Sequence, residues 1–349
     1  MQNPPEPSAA VAGFEPARLD AFMRRELPGL RGPMQLERIG GGQSNPTFFL
    51  GYDNRRMVLR KKPAGAVLPS AHAVDREYRV MRALADSALP VPSMVLYCDA
   101  ADVVGTPFYV MERIEGRIFP THALPGVVPA ERRALYLAMA ETMATLHGLD
   151  WAALGLDGFG KRGAFFERQL RRWERQWALS RTGENPDLDA LLRWLADNLP
   201  EDDETTLVHG DFKIGNLMFH PSEPRVIGVL DWELSTLGHP LADVAFNTVA
   251  WRTLPTEYDG IRGLELAALG IPSEAEYLRH YYHAAGRDSE AQPFHWAFAF
   301  MRWAVIFEGI AARSLAGTAV ADNASEIGAL AAAMARRGLE AIDEPMPAI

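Results

Sequence analysis

His209-Gly210-Asp211-Phe212-Lys213-Ile214-Gly215-Asn216, followed fifteen positions after Asn216 by the aspartate in Val226-Ile227-Gly228-Val229-Leu230-Asp231-Trp232-Glu233, decides how this chain is read. Asp211 stands between a glycine and an aromatic, with short apolar runs on either side. A carboxylate on a loop held from both ends is what a positioned base requires. Asn216 and Asp231 add two oxygen donors of the kind Mg2+ prefers. Asp231 ends an apolar run, a costly place for a charge that has no use. Phosphoryl transfer needs little more: one carboxylate to orient the attacking hydroxyl and two side chains to hold the metal against nucleotide phosphates. Taken alone, Asp211 also reads as a turn aspartate capping its own backbone. Leu207 to Glu233 as a unit outweighs that reading.

The neighbours of the motif take subsidiary parts. Lys213 reads either as a cation that offsets charge on the transferring group or as a solvated loop lysine. His209 is expected to pack beneath the loop and hydrogen-bond its backbone. Asp243, in Gly238-His239-Pro240-Leu241-Ala242-Asp243, opens an apolar helix and is expected to anchor the base-bearing loop. Glu233 reads equally as a metal ligand or a turn cap.

Working outward, 349 residues with 48% hydrophobic and 23% charged content suit a soluble globular protein of one large or two joined lobes. A formal charge of −10 argues against nucleic acid or an anionic membrane as partner, since an acidic surface releases no counterions there. Cys98 is the only cysteine, so no intramolecular disulfide forms and a reducing, cytoplasmic compartment is expected. The apolar run Trp296 to Ala312 is interrupted by Arg302 and Glu308, which predicts a buried helix rather than a membrane span.

The periodicity predicts an α+β organisation. Residues 1–15 read as a disordered leader, 16–114 as a β-rich N-lobe with one main helix, and 115–349 as a helical C-lobe. A first helix is expected from Pro16 to Leu27, then strands over 34–39, 47–52, 57–61, 91–97 and 108–114, the second and third joined at an Asp53-Asn54 turn. Helical segments are expected near 129–147, 163–181, 187–199, 240–251, 273–285, 294–315 and 323–340, with short extended runs near 207–208, 217–219 and 226–230. Gly40-Gly41-Gly42-Gln43-Ser44-Asn45 turns between two strands, where glycines admit phosphate oxygens to the backbone and Ser44 adds a donor. Glu77 falls between Val74 and Met81 on the inward face of its helix, so it reads as wanting a cation from the strand Met57-Val58-Leu59-Arg60-Lys61-Lys62, or else as a surface glutamate paired with arginines of its own helix. The extended segment from Phe108 offers its backbone at Glu112 and Ile114 to a purine edge, or is a plain edge strand.

These residues together resemble the aminoglycoside phosphotransferase and choline kinase-like family. The likeness is greatest to the kinase-like domain of certain long acyl-CoA dehydrogenases, through Gly41–Thr47, Val58–Pro63, Leu68–Tyr78, Leu207–Asn216, Leu230–Glu233 and Gly238–Val244. The resemblance implies a bilobal protein-kinase-like fold with Asp211 as base and Lys213 beside it. Asn216 and Asp231 would be magnesium ligands, and ATP or GTP would lie under Gly41, Gly42, Ser44 and Asn45. At the phosphate-binding cation, Arg60 stands where lysine is usual, with Lys61 and Lys62 as the alternatives. The acceptor would be a hydroxyl on a small metabolite: a hydroxyacyl-CoA by the subgroup, or an aminoglycoside, choline-like or sugar alcohol by the wider family. A nucleotide-binding pseudokinase with a regulatory role is the alternative of another class.

Overall fold

Large side chains alternating after Met34 build an antiparallel sheet, seen in a computed structural model that describes residues 13–40, 45–64, 73–288, 290–317 and 324–348. The chain divides into two compact units, Met1–Glu115 with Asp231–Glu233, and Gly116–Leu230 with Leu234–Ile349.

In the first unit, helix α1 (Pro16–Glu26) starts on a proline, whose missing amide costs nothing at that position. Strands β1 (Gln35–Arg38), β2 (Thr47–Tyr52) and β3 (Arg55–Lys61) follow, the last two joined by the Asp53-Asn54 turn that pairs Tyr52 with Arg55. Then come helix α2 (Val74–Ala83), strand β4 (Met94–Cys98), a one-turn helix α3 (Ala101–Val104) and strand β5 (Phe108–Glu112). The sheet order is β1-β2-β3-β5-β4, antiparallel throughout. Leu19, Phe22, Phe48, Leu50, Met57, Leu59, Phe108 and Val110 form its core, and Cys98 is buried among them. Strand β4 starts later than the pattern suggested, because Pro90 and Pro92 have no amide for the ladder.

The second unit is mainly helical. Strand β6 (Arg117–Ile118) precedes helices α4 (Pro129–His147), α5 (Phe165–Ser180) and α6 (Pro186–Asp197). Strands β7 (Thr206–Val208), β8 (Leu217–Phe219), β9 (Val226–Val229) and β10 (Thr236–Gly238) form two small sheets, β6-β8-β9 and β10-β7. Helices α7 (Pro240–Arg252), α8 (Leu266–Leu269), α9 (Glu274–Ala285), α10 (Pro293–Leu315), α11 (Ala324–Gly328) and α12 (Ala331–Asp343) complete it. Helix α7 is buried along its whole length and α10 along most of it. Among the described residues no helix is long and apolar enough to cross a membrane.

One expectation fails. The single helix expected over 323–340 is two, α11 and α12. Gly328 ends the first: it has weak helix propensity, and a Cβ there would sit 2.7 Å from that of Ala311. Glycine is what lets α11 approach α10, and periodicity carries no sign of it.

Candidate active site

In the first unit the chemistry gathers around a buried carboxylate. Glu77 lies on the inward face of α2 and is fully buried. Its oxygens accept from Asn45 Nδ2 (2.7 Å) and Tyr109 Oη (3.0 Å), and Arg60 Nε stands 3.3 Å away. Arg60 reaches from β3 and also donates through Nη2 to Asp231 Oδ1 at 2.6 Å, with Glu233 Oε2 at 3.8 Å. Burial works against the charge of Arg60, but the fields of Asp231 and Glu77 outweigh it and raise its pKa. Burial pushes the Glu77 carboxyl above its usual range, with Arg60 opposing. Asp231 adopts φ 65, a left-handed conformation uncommon outside glycine and favoured where the backbone turns to present a side chain.

Lys61 faces elsewhere. It is buried, and its ammonium donates to the Val104 carbonyl at 2.6 Å. Arg60 is therefore the strand cation that meets Glu77. Glu112 pairs its side chain with Arg55 (Nε 3.0 Å), and its amide donates to the Ser93 carbonyl (2.9 Å). Ile114 follows the end of β5, and among the described residues its backbone makes no hydrogen bond to another backbone group. Gly41, Gly42 and Ser44 lie outside the described residues.

In the second unit the loop after β7 carries Asp211, Lys213 and Asn216. Asn216 Nδ2 donates to both the Asp211 carbonyl and its Oδ2, each at 2.8 Å, and Lys213 Nζ lies 3.1 Å from the same Oδ2. Among the described residues Asn216 Oδ1 accepts no hydrogen bond, so its ligand oxygen is available. A short 3₁₀ turn, Ile214–Asn216, sets this geometry, and the Leu230 amide donates to the Asn216 carbonyl at 2.8 Å. Asp231 is the next residue along the chain.

The loop is fastened from below. Asp243, fully buried, accepts the amides of His209 (2.6 Å) and Gly210 (2.8 Å). Burial opposes the charge on Asp243, yet hydrogen bonding from His147 and the Gly210 amide holds its pKa below the ordinary carboxylate value. His209, also buried, donates from Nε2 to the Leu230 carbonyl (2.9 Å) and accepts the Asp211 amide at Nδ1 (3.2 Å). Gly210 has φ 82, and a Cβ there would lie 2.6 Å from the Leu234 carbonyl oxygen, so no other residue fits without displacement.

Two features escaped the sequence reading. Arg302 of α10, deeply buried, donates to the Gly210 carbonyl at 2.7 Å, its guanidinium 4.8 Å from the Phe246 ring centre. Burial lowers its pKa against the fields of Asp243 and Asp211. Its place in an apolar helix was visible as an anomaly, but not its target. A cavity of about 240 Å³ also opens beside Lys213, lined by His122, Phe246, Val249, Ala250, Asp259 and Trp303 among others. Residues so far apart in the chain gave no joint signal. Asp202, Glu204 and His239 bring ligand atoms within 4.8 Å of one another. Both Glu204 oxygens are engaged by Arg287, so this group reads as an ion-pair network.

Comparison with known proteins gives the following matches. Residues 35–293 match the model of the phosphotransferase enzyme family. Acyl-CoA dehydrogenase family member 10 of Mus musculus is 44% identical over 308 residues, 87% of this chain and 29% of that protein. The chain spans less than half the length of the curated relatives it matches. A Ralstonia eutropha JMP134 protein provisionally assigned as an aminoglycoside phosphotransferase superposes with a TM-score of 0.85 at 43% identity, covering 94% of this chain and 98% of its own. The aminoglycoside phosphotransferase APH(4)-Ia, solved with AMP-PNP and hygromycin B, shares the fold at a TM-score of 0.60 and 18% identity, over 92% of this chain and 98% of its own. The small antiparallel sheet and the mostly helical remainder are thus those of a kinase-like α+β fold.

Proposed function

Because this chain belongs to the phosphotransferase enzyme family, we propose that it transfers the terminal phosphate of ATP, or GTP, to a hydroxyl of a small metabolite in a Mg2+-dependent reaction. Phosphoryl transfer to hydroxyl groups is the activity of the family; the nucleotide, the metal and the acceptor are the further reading. The observation that carries it is the Asp211 carboxylate, held by Asn216 and Lys213 on a loop pinned by Asp243, His209 and Arg302.

In this reading Asp211 accepts a hydrogen bond from the attacking hydroxyl and takes its proton as the bond to the terminal phosphorus forms and the bond from that phosphorus to the departing nucleoside diphosphate breaks. Arg60, oriented by Glu77, and Lys213 bind the nucleotide phosphates, and the Glu112 and Ile114 backbone meets the purine. The donor set fits Mg2+: the Asn216 amide oxygen and the Asp231 carboxylate are hard oxygen ligands, and these two residues would hold the ion. When bound, the ion neutralises charge on the phosphate oxygens. Asp231 bonds Arg60 in the structure, so metal binding would draw on a carboxylate already oriented.

Among acceptors, a hydroxyacyl-CoA is supported by the 44% identity to a protein named for acyl-CoA dehydrogenation. An aminoglycoside rests on the names of structural neighbours alone. The test is a transfer assay with labelled ATP and GTP against hydroxyacyl-CoA thioesters, amino sugars and choline. We expect Mg2+-dependent product with a hydroxyl acceptor and its loss in Asp211→Asn. A purified protein that binds Mg-ATP but phosphorylates no acceptor would favour the pseudokinase instead.

A further inference from the structure

The cavity beside Lys213 carries polar groups that the phosphoryl chemistry leaves unused. Its wall is largely apolar, with Ile214, Phe246, Val249, Ala250 and Trp303. Two carboxylates also line it, and both are engaged. Glu257 receives Arg337 through Nε (3.0 Å) and Nη2 (3.1 Å) and the Leu254 amide (3.0 Å). Asp259 Oδ2 accepts the His122 amide (2.9 Å) and stands 3.0 Å from its Nδ1. Glu257 has both oxygens engaged and Asp259 keeps only Oδ1, so an acceptor bearing several ammonium groups would find a single open carboxylate oxygen there.

His122 is fixed on three sides. Its amide and Nδ1 are taken by Asp259, and its carbonyl accepts the Tyr136 hydroxyl at 2.5 Å. Among the described residues no hydrogen bond reaches Nε2, the one remaining polar atom of the ring. The residue that holds it is strained: Tyr258 and Asp259 both adopt left-handed backbone, at φ 66 and φ 63. Two consecutive residues of that kind persist only where the surroundings enforce them. The Tyr258 ring packs 4.9 Å from both Trp303 and Phe307, which enforces the turn. A strained turn thus presents a carboxylate to a histidine on the cavity wall, next to the lysine that contacts Asp211.

We propose that this cavity is the acceptor site and that His122, locked by Asp259, determines specificity. Its Nε2 hydrogen-bonds a polar group on a hydroxylated, largely apolar acceptor that carries no positive charge. The inference rests on the kinase reading above, yet it is tested by acceptor binding, which needs no turnover. Hydroxyhexanoyl-CoA serves as probe and kanamycin as polycationic comparator, by calorimetric titration and then by steady-state kinetics. Wild type is expected to bind the thioester, with no competition from kanamycin. His122→Ala and Asp259→Asn should each weaken that binding about tenfold, the loss of one well-placed hydrogen bond. KM for the thioester should rise by the same factor, while kcat changes less than about threefold. Ala250→Leu, which narrows the cavity and leaves His122 in place, should also weaken binding, so the result does not depend on one variant folding. Absence of thioester binding to wild type, displacement by kanamycin, or wild-type affinity in the folded variants overturns the inference. Failure of Mg-ATP to bind or react, with thioester binding intact, would instead overturn the kinase reading.

Discussion

At the scale of single residues, Arg60 shows what a guanidinium does that an ammonium cannot. It meets Glu77 through Nε and Asp231 through Nη2, two carboxylates addressed by one planar fork. Arg60→Lys keeps the charge and loses that geometry. KM for Mg-ATP should rise about tenfold in steady-state kinetics with a smaller change in kcat, the pattern of lost phosphate binding. Asp211, Lys213 and Asn216 were legible because their spacing is fixed by a single short loop. The choice among Arg60, Lys61 and Lys62 was not. Alternation normally tells which strand residues share a face, but Met57, Val58 and Leu59 are all buried, so β3 gives no polar side to count from. Glu77 was legible because helical spacing placed it among apolar residues.

At the scale of elements, the loop depends on Gly210 and on the helices that fasten it. Gly210→Ala sets a Cβ against the Leu234 carbonyl in a left-handed backbone, and should cost about 1–3 kcal/mol in urea unfolding as well as activity. A second prediction concerns the start of α10. His295 is buried, accepts the Gln292 amide at Nδ1 (2.9 Å), and burial drives its pKa from 6.5 down to about 3. Its folded pKa lies below the unfolded one, so the unfolded chain binds the extra proton as the pH falls. This contribution is present above about pH 6.5 and is lost on acidification toward 3, by at most about 1.4 kcal/mol per pH unit. His239, lowered by burial, acts in the same direction. Urea midpoints at pH 7 and pH 5 should differ less in His295→Gln than in wild type; an equal difference would remove His295 from the account. The start of α1 was legible from Pro16, which suits a first helical position. The break at Gly328 was not, because it answers a tertiary contact with Ala311.

At the scale of the whole molecule, the fold class followed from a change of period, from alternation before Gly116 to helical repeats after it. The cavity did not follow, since His122 and Asp259 meet across 137 positions of chain. A ligand that binds only the folded chain stabilises it by mass action, by about 2.7 kcal/mol at a hundred times Kd. Mg-ATP should therefore raise the melting temperature, and a chelator should remove most of the gain. The most direct measurement is single-turnover phosphoryl transfer from labelled Mg-ATP to the acceptor, comparing wild type with Asp211→Asn. The account predicts that the variant binds Mg-ATP with wild-type affinity and transfers phosphate about 10²–10⁴-fold more slowly. Transfer at the wild-type rate would contradict it.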